Sequence, residues 1–171
     1  MAEPIDPDLP TGAVAGRRGG ASRFLCDEML GRLARYLRAA GYDTVLAAGG
    51  LPDSVWIGLA HREARLLLTC DRALAQGRHA RDLIVNLEQG DLDRQAEALR
   101  KQCGVDWLWR PFSRCLIDNS QLERADASAV GFAMHGIDTA SLRICPGCGR
   151  LYWAGSHHRR MHERLRVWQQ R

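Results

Sequence analysis

Apolar positions along the chain recur with two alternating periods. The run RFLC (Arg23–Cys26) is short, continuous and apolar, stops at Asp27, and predicts a strand. MLGRLARYLRAAG then sets Met29, Leu30, Leu33, Ala34 and Leu37 on one helical face and ends at Gly41 as a C-cap. TVLAA, from Thr44, predicts a second strand. PDSVWIGLAHREA opens on the helix-start signal Pro52-Asp53-Ser54 and carries Val55, Ile57, Leu59 and Ala60 into a second helix. The buried-type strand RLLLT follows, ending before Asp71, then a short helical piece (RALAQ), a fourth strand (DLIVNLE) and an amphipathic helix (DLDRQAEALRKQC). Strands alternating with helices predict an α/β fold with a parallel sheet and flanking helices.

From Trp107 the alternation stops, and WLWRPFSRC leads into a turn-rich stretch and a Cys-x-x-Cys pair. A boundary is expected at 105–112, with an α/β domain over 23–108 and a small module over 109–171 that closes with a basic helix. Residues 1–22, Gly- and Pro-rich without periodicity, read as a disordered leader. The length of 171 residues fits one core with an appendage. With no apolar signal segment and no run near the roughly 18 apolar residues of a membrane span, the expectation is a soluble cytoplasmic protein without a membrane partner.

Composition changes this picture in two places. Six cysteines without a secretory signal favour metal binding or plain burial over disulfides. The net charge is only +4, but the 24 basic residues include a single lysine, Lys101. GC-rich codon usage produces such a bias, and guanidinium forks also suit phosphate binding.

In parallel sheets, function collects at the carboxyl ends of the strands. Asp27 and Glu28 follow the first strand, Asp71 follows the third, Asp53 opens the intervening helix, and Asp43 precedes the second strand. Singly, these acids read as helix caps, and Gly-Tyr-Asp-Thr as a turn. Together, carboxylates from separate strand ends repel one another unless a cation lies between them, and Mg²⁺ or Mn²⁺ takes oxygen ligands of this kind. The set Asp27, Asp53 and Asp71 therefore points to metal-dependent phosphoryl chemistry. Arg32, Arg35 and Arg38 fall at i, i+3, i+6 on the face away from Leu33 and Leu37, either as a solvated helix face or as phosphate contacts. Arg159 and Arg160 begin a second basic series that continues through Arg164, Arg166 and Arg171. It reads as an RNA-binding arm with Trp153, Tyr152 or Trp168 available to stack on bases, or as a solvated terminal helix with Trp168 packed on the small module.

FLCDEMLGRLARYLRAAGYDT, LPDSVWIGLAHREARLLLTCDRAL, SRCLIDN and ICPGCGRLYWAGSHHRRM together resemble the Mut7-C RNase domain family, a PIN-like nuclease fold with a C-terminal zinc ribbon. The resemblance runs from about Arg23 to about His162. It implies a PIN-like sheet, a zinc-ribbon-like module, RNA as partner, and divalent-metal-dependent RNA cleavage in which bound ions orient and deprotonate a water. Asp27 and Asp71 fall on the family's core acids and Asp53 on an acid shared with related proteins, with Glu28 and Asp43 as further candidates.

The pair Cys145 and Cys148 in CPGC is one zinc knuckle, which supplies half of a tetrahedral ligand set. The family pattern places the other at R-C-x-x-C. Here the stretch is Arg114-Cys115-Leu116-Ile117-Asp118, with a carboxylate in place of the second thiolate. Cys115, Asp118, Cys145 and Cys148 can form a Cys₃Asp zinc site; His157 or His158 is an alternative fourth ligand, and loss of the metal a further one. Cys26, Cys70 and Cys103 lack partner spacing and read as buried packing. A redox role for CPGC requires the first thiol at a helix N-terminus after a strand, which the placement does not offer. Two rival readings of the whole chain are a phospho-acceptor receiver, which needs a lysine ending its last strand whereas Lys101 lies in a helix, and a non-catalytic RNA-binding adaptor on the same fold.

Overall fold

A computed structural model describes residues 22–75, 82–126 and 139–171. The leader expected over 1–22 lies outside them except for Ser22, which is buried.

Four short strands, β1 (Phe24–Cys26), β2 (Thr44–Leu46), β3 (Leu66–Thr69) and β4 (Ile84–Asn86), form a parallel sheet in the order β2-β1-β3-β4. Each connection carries a helix: α1 (Gly31–Ala39) after β1, α2 (Asp53–Arg62) after β2, and the single turn α3 (Arg72–Ala75) after β3. The chain moves outward from β1 to β2 and then crosses back to β3 on the other side of β1. The point at which strand order reverses therefore lies between β1 and β3, where α/β sheets open a crevice at their carboxyl ends.

Both faces of the sheet are covered, which is why the strands read as continuous apolar runs instead of alternating ones. Phe24, Cys26, Leu66 and Leu68 point to the side carrying α1 and α4 (Leu92–Cys103), where Leu33, Leu37, Ala96 and Leu99 meet them. Leu25 and Leu67 point to the other side, against Ala60, Trp56 and Ile57 of α2. One residue of the expected apolar face departs from it. Met29 is 62% exposed, because residues Glu28–Leu30 form a 3-10 turn before α1 starts and swing it off the helical stripe. Gly41 ends the α1 segment at φ +99°, where a Cβ would stand 2.4 Å from the Arg110 carbonyl oxygen. No other residue fits that turn without strain.

Beyond α4, an antiparallel three-stranded sheet is built from β5 (Glu123–Arg124), β6 (Arg143–Ile144) and β7 (Leu151–Tyr152), and α5 (Ser156–Gln170) follows. The boundary expected at 105–112 does not isolate this half of the chain. Trp107 and Trp168 are both buried in the α1 side of the core, with ring centroids 4.9 Å apart, and Trp168 also meets Tyr36 edge-on at 4.7 Å. Asp93 on α4 accepts from the Trp168 indole at 2.9 Å and pairs with Arg164 at 2.7 Å. The module expected over 109–171 thus has its terminal helix inside the first domain, because its Leu165 and Trp168 complete a core that α1 and α4 leave open. No helix among the described residues is long and apolar enough to cross a membrane.

Candidate functional site

Thr69 ends β3 fully buried, and its hydroxyl joins two acids. It donates to Asp27 Oδ2 at 2.9 Å and accepts the backbone N–H of Asp71 at 3.0 Å. Parallel pairing of Cys26 with Leu68 is what brings the ends of β1 and β3 level, and the Asp27 N–H donates to the Leu68 carbonyl at 2.9 Å. Asp71 in turn caps α3, its Oδ1 accepting from the N–H groups of Ala73 and Leu74 at 2.7 and 3.3 Å. Asn86, ending β4, donates through its side-chain amide to the Asp71 carbonyl at 3.3 Å. The edge where strand order reverses therefore presents Asp27, half-buried, and Asp71, exposed, each with one carboxylate oxygen committed to the protein. Beside them burial and the Asp27 charge push the Cys70 thiol up.

The other predicted acids are distributed unequally. Glu28 is exposed in the turn directly after Asp27, and Asp53 is exposed as the first residue of α2, at the carboxyl end of β2. Asp43 is a correction. It precedes β2, which places it at the opposite, amino edge of the sheet, where Arg23 and Arg65 bond it at 3.0 and 2.8 Å and Asn119 donates to it at 2.7 Å. Burial alone would raise its pKa, but the hydrogen bonds from Arg65 and Asn119 and the charge of Arg65 hold it well below the usual carboxylate range. Asp43 is an anchor for the amino edge, remote in the fold from Asp27 and Asp71.

The Cys pair finds its other half. Donor atoms of Cys115, Asp118, Cys145 and Cys148 all lie within 4.8 Å of one another, the only group of three or more such donors among the described residues. The Cys115 and Cys148 sulfurs are 3.7 Å apart, and the Cys145 sulfur lies 3.1 and 3.3 Å from the two Asp118 oxygens. Two sulfurs bound to one tetrahedral zinc, at about 2.3 Å each, stand roughly 3.8 Å apart, so the spacing fits such an ion. Backbone N–H groups of Ile117 and Cys148 point at the Cys115 and Cys145 sulfurs, both at 3.4 Å, as thiolate ligands require. The carboxylate has room because residue 147 is glycine: a Cβ there would stand 2.9 Å from Asp118 Oδ2. This cluster can hold a metal such as zinc. His157 and His158 are engaged elsewhere, His157 beside Arg160 at 3.2 Å and His158 stacked on Phe112 at 3.9 Å between ring centroids.

Of the basic residues, Arg32, Arg35, Arg159 and Arg160 are exposed at the surface. Arg38 is a second correction: it is 6% exposed, and its guanidinium donates to the carbonyls of Thr44, Leu116 and Ile117 at 2.9, 3.1 and 2.7 Å. The three-residue spacing that put it in line with Arg32 and Arg35 takes no account of a loop packing over the end of α1. Of the three aromatics offered for stacking, Trp168 is buried and the Tyr152 hydroxyl is committed to the cluster, 3.1 Å from the Cys115 sulfur, whereas Trp153 is 42% exposed. Sequence reasoning missed Thr69, Asn86 and the structural uses of Tyr152 and Arg38. Only Thr69 left a local signal, two residues ahead of Asp71 at the end of a buried strand.

A model of the Mut7-C RNAse domain matches residues 22–165. Among curated proteins and among solved structures, nothing matches.

Proposed function

The chain belongs to the Mut7-C RNAse domain family, and from that premise we propose that it is a divalent-metal-dependent ribonuclease acting at the carboxyl edge between β1 and β3. The observation that carries this reading is the Thr69 hydroxyl, which donates to the Asp27 carboxylate and accepts the Asp71 N–H just beyond the ends of the adjacent strands β1 and β3. Two carboxylates held this way each keep an oxygen for Mg²⁺ or Mn²⁺. Such an ion, when bound, supplies a water of lowered pKa and neutralises charge on the leaving oxygen. The chain's own part is positioning. Thr69 orients the Asp27 carboxylate and the α3 amides orient that of Asp71, while Asp53 and Glu28 lie exposed at the same edge of the sheet.

RNA is the partner this reading requires. Arg32 and Arg35 on α1, and Arg159 and Arg160 on α5, supply phosphate contacts, and Trp153 supplies an exposed ring for base stacking. The Cys₃Asp cluster is read as a structural zinc site, closed by four protein donors with no position left for substrate.

The test is a mixed RNA pool incubated with the purified protein, with and without Mn²⁺, alongside Asp71→Asn. Cleavage by the parent that needs the ion and is lost in the variant supports the reading; equal cleavage by the variant overturns it. One observation favours a second reading, a non-catalytic RNA-binding protein. Asp27, Asp53 and Asp71 do not lie as close together as the donors of the cysteine cluster do. RNA retention without cleavage in the same assay would establish that alternative.

A further inference from the structure

A buried guanidinium without a carboxylate partner is costly to keep in a protein interior, and Arg38 is one. It is 6% exposed, and it makes no ion pair among the described residues. Its three hydrogen bonds all go to backbone carbonyls, and two of those, Leu116 and Ile117, are the residues between the metal-ligand candidates Cys115 and Asp118. Neighbouring contacts hold the same loop. Asn119 accepts the Thr44 N–H at 2.9 Å and donates to Asp43, Arg114 donates to the Gly41 and Asn119 carbonyls at 3.3 and 2.9 Å, and Tyr152 accepts the Leu116 N–H at 3.0 Å.

Three thiolates and a carboxylate around a divalent ion carry a net charge of about −2. A buried cation one peptide away offsets that charge, and the ligand set in turn compensates the cation, which neither element achieves alone.

We propose that Arg38 is the positioning residue of the Cys115–Asp118 knuckle, fixing it for metal binding and tying the occupied site to the end of α1 and the start of β2. This rests on reading the four-donor cluster as a zinc site. Groups of this kind, which orient a ligand without touching the metal, commonly govern metal affinity by about 10–100-fold. Burial lowers the Arg38 pKa, and the charges of Cys26, Cys115 and Asp118 oppose that lowering only in part.

The experiment is zinc affinity by competition with a chromogenic chelator, together with the absorption spectrum of the Co²⁺ form, for the full chain and for Arg38→Met and Arg38→Lys. The expected result is a loss of about 10–100-fold in zinc affinity for Arg38→Met and an altered Co²⁺ spectrum, with partial recovery in Arg38→Lys, which restores the charge but not the planar fork. Zinc held equally by the parent and a folded Arg38→Met overturns the role of Arg38 and leaves the zinc site standing. A parent that binds no zinc overturns both. Should Arg38→Met fail to fold, hydrogen exchange of the unaltered chain decides, because coupling between the ion and α1 is reciprocal. Removing zinc should speed exchange at Ala40 and Thr44; unchanged rates there overturn the proposal.

Discussion

The hydroxyl of Thr69 donates to Asp27 at 2.9 Å from a position with no solvent exposure. The same hydroxyl accepts the Asp71 N–H, so it both turns the Asp27 carboxylate toward the strand end of β3 and anchors the start of the Asp71 turn. Thr69→Val keeps the shape and removes the bond. RNA cleavage is expected to fall by about 10–100-fold, the range seen when a ligand loses its orienting partner. Stability should drop by about 1–2 kcal/mol, since the Asp71 N–H also loses its acceptor. Rate assays at several Mn²⁺ concentrations beside urea denaturation read both effects.

Asp71→Asn separates capping from chemistry. Asparagine caps a helix about as well as aspartate, so the circular dichroism spectrum and melting temperature should stay close to those of the parent. Mn²⁺- or Mg²⁺-supported cleavage should vanish, because the amide carries no charge for the ion. Asp27→Asn should behave alike.

Asp43 predicts the opposite separation. Its pKa is depressed in the fold, so the stability it contributes is present above the ordinary carboxylate pKa of about 4 and is lost as pH falls below it. Asp43→Asn should cost about 1–2 kcal/mol near neutral pH, because Arg65, 4% exposed, loses one of its two charged partners and keeps Glu63 at 2.6 Å. It should also flatten the fall in stability on acidification, while the cleavage rate of the folded variant stays near that of the parent. Thermal melts from about pH 2 to 7 follow both.

At the cysteine cluster, Asp118→Ala should weaken zinc binding and Asp118→Cys should restore it, with Cd²⁺ then gaining on Zn²⁺ because a soft thiolate replaces a hard oxygen. Competition titrations with both metals test this. Equal zinc affinity for Asp118→Ala and the parent excludes the carboxylate as a ligand.

Deleting residues after Met161 removes Leu165 and Trp168 from the core, so a truncated chain should unfold and report nothing about RNA. Arg159→Gln with Arg160→Gln is the cleaner probe. The melting temperature should hold, and the slope of log affinity against log salt should shrink by roughly 0.7 for each phosphate that these arginines cease to neutralise on single-stranded RNA.

Much of the sheet was legible because strands buried on both faces leave unbroken apolar runs, and because Asp27 and Asp71 sit close behind two of them. Asp43 could have been placed by the same logic, since an acid before a strand lies at the amino edge. The partners of Arg38 could not. Helical spacing describes only the faces of its own helix, and the carbonyls of Leu116 and Ile117 that hold it come from a loop 78 and 79 residues further along. The same holds for Trp168, whose cavity is built by α1 and α4 and has no trace in the sequence around it.

The position of Trp168 also constrains the order in which the protein can fold. Chains emerge from the ribosome at about 5–20 residues per second, and early domains commonly fold as they appear. Here the cleft flanked by Tyr36 and Trp107 stays uncovered until a helix ending at Gln170 is made, and the N–H of Trp107 waits for the side chain of Gln169, 62 residues later. High sequence separation of this kind slows closure. A nascent chain arrested before α5 would therefore display an aromatic surface that chaperones bind.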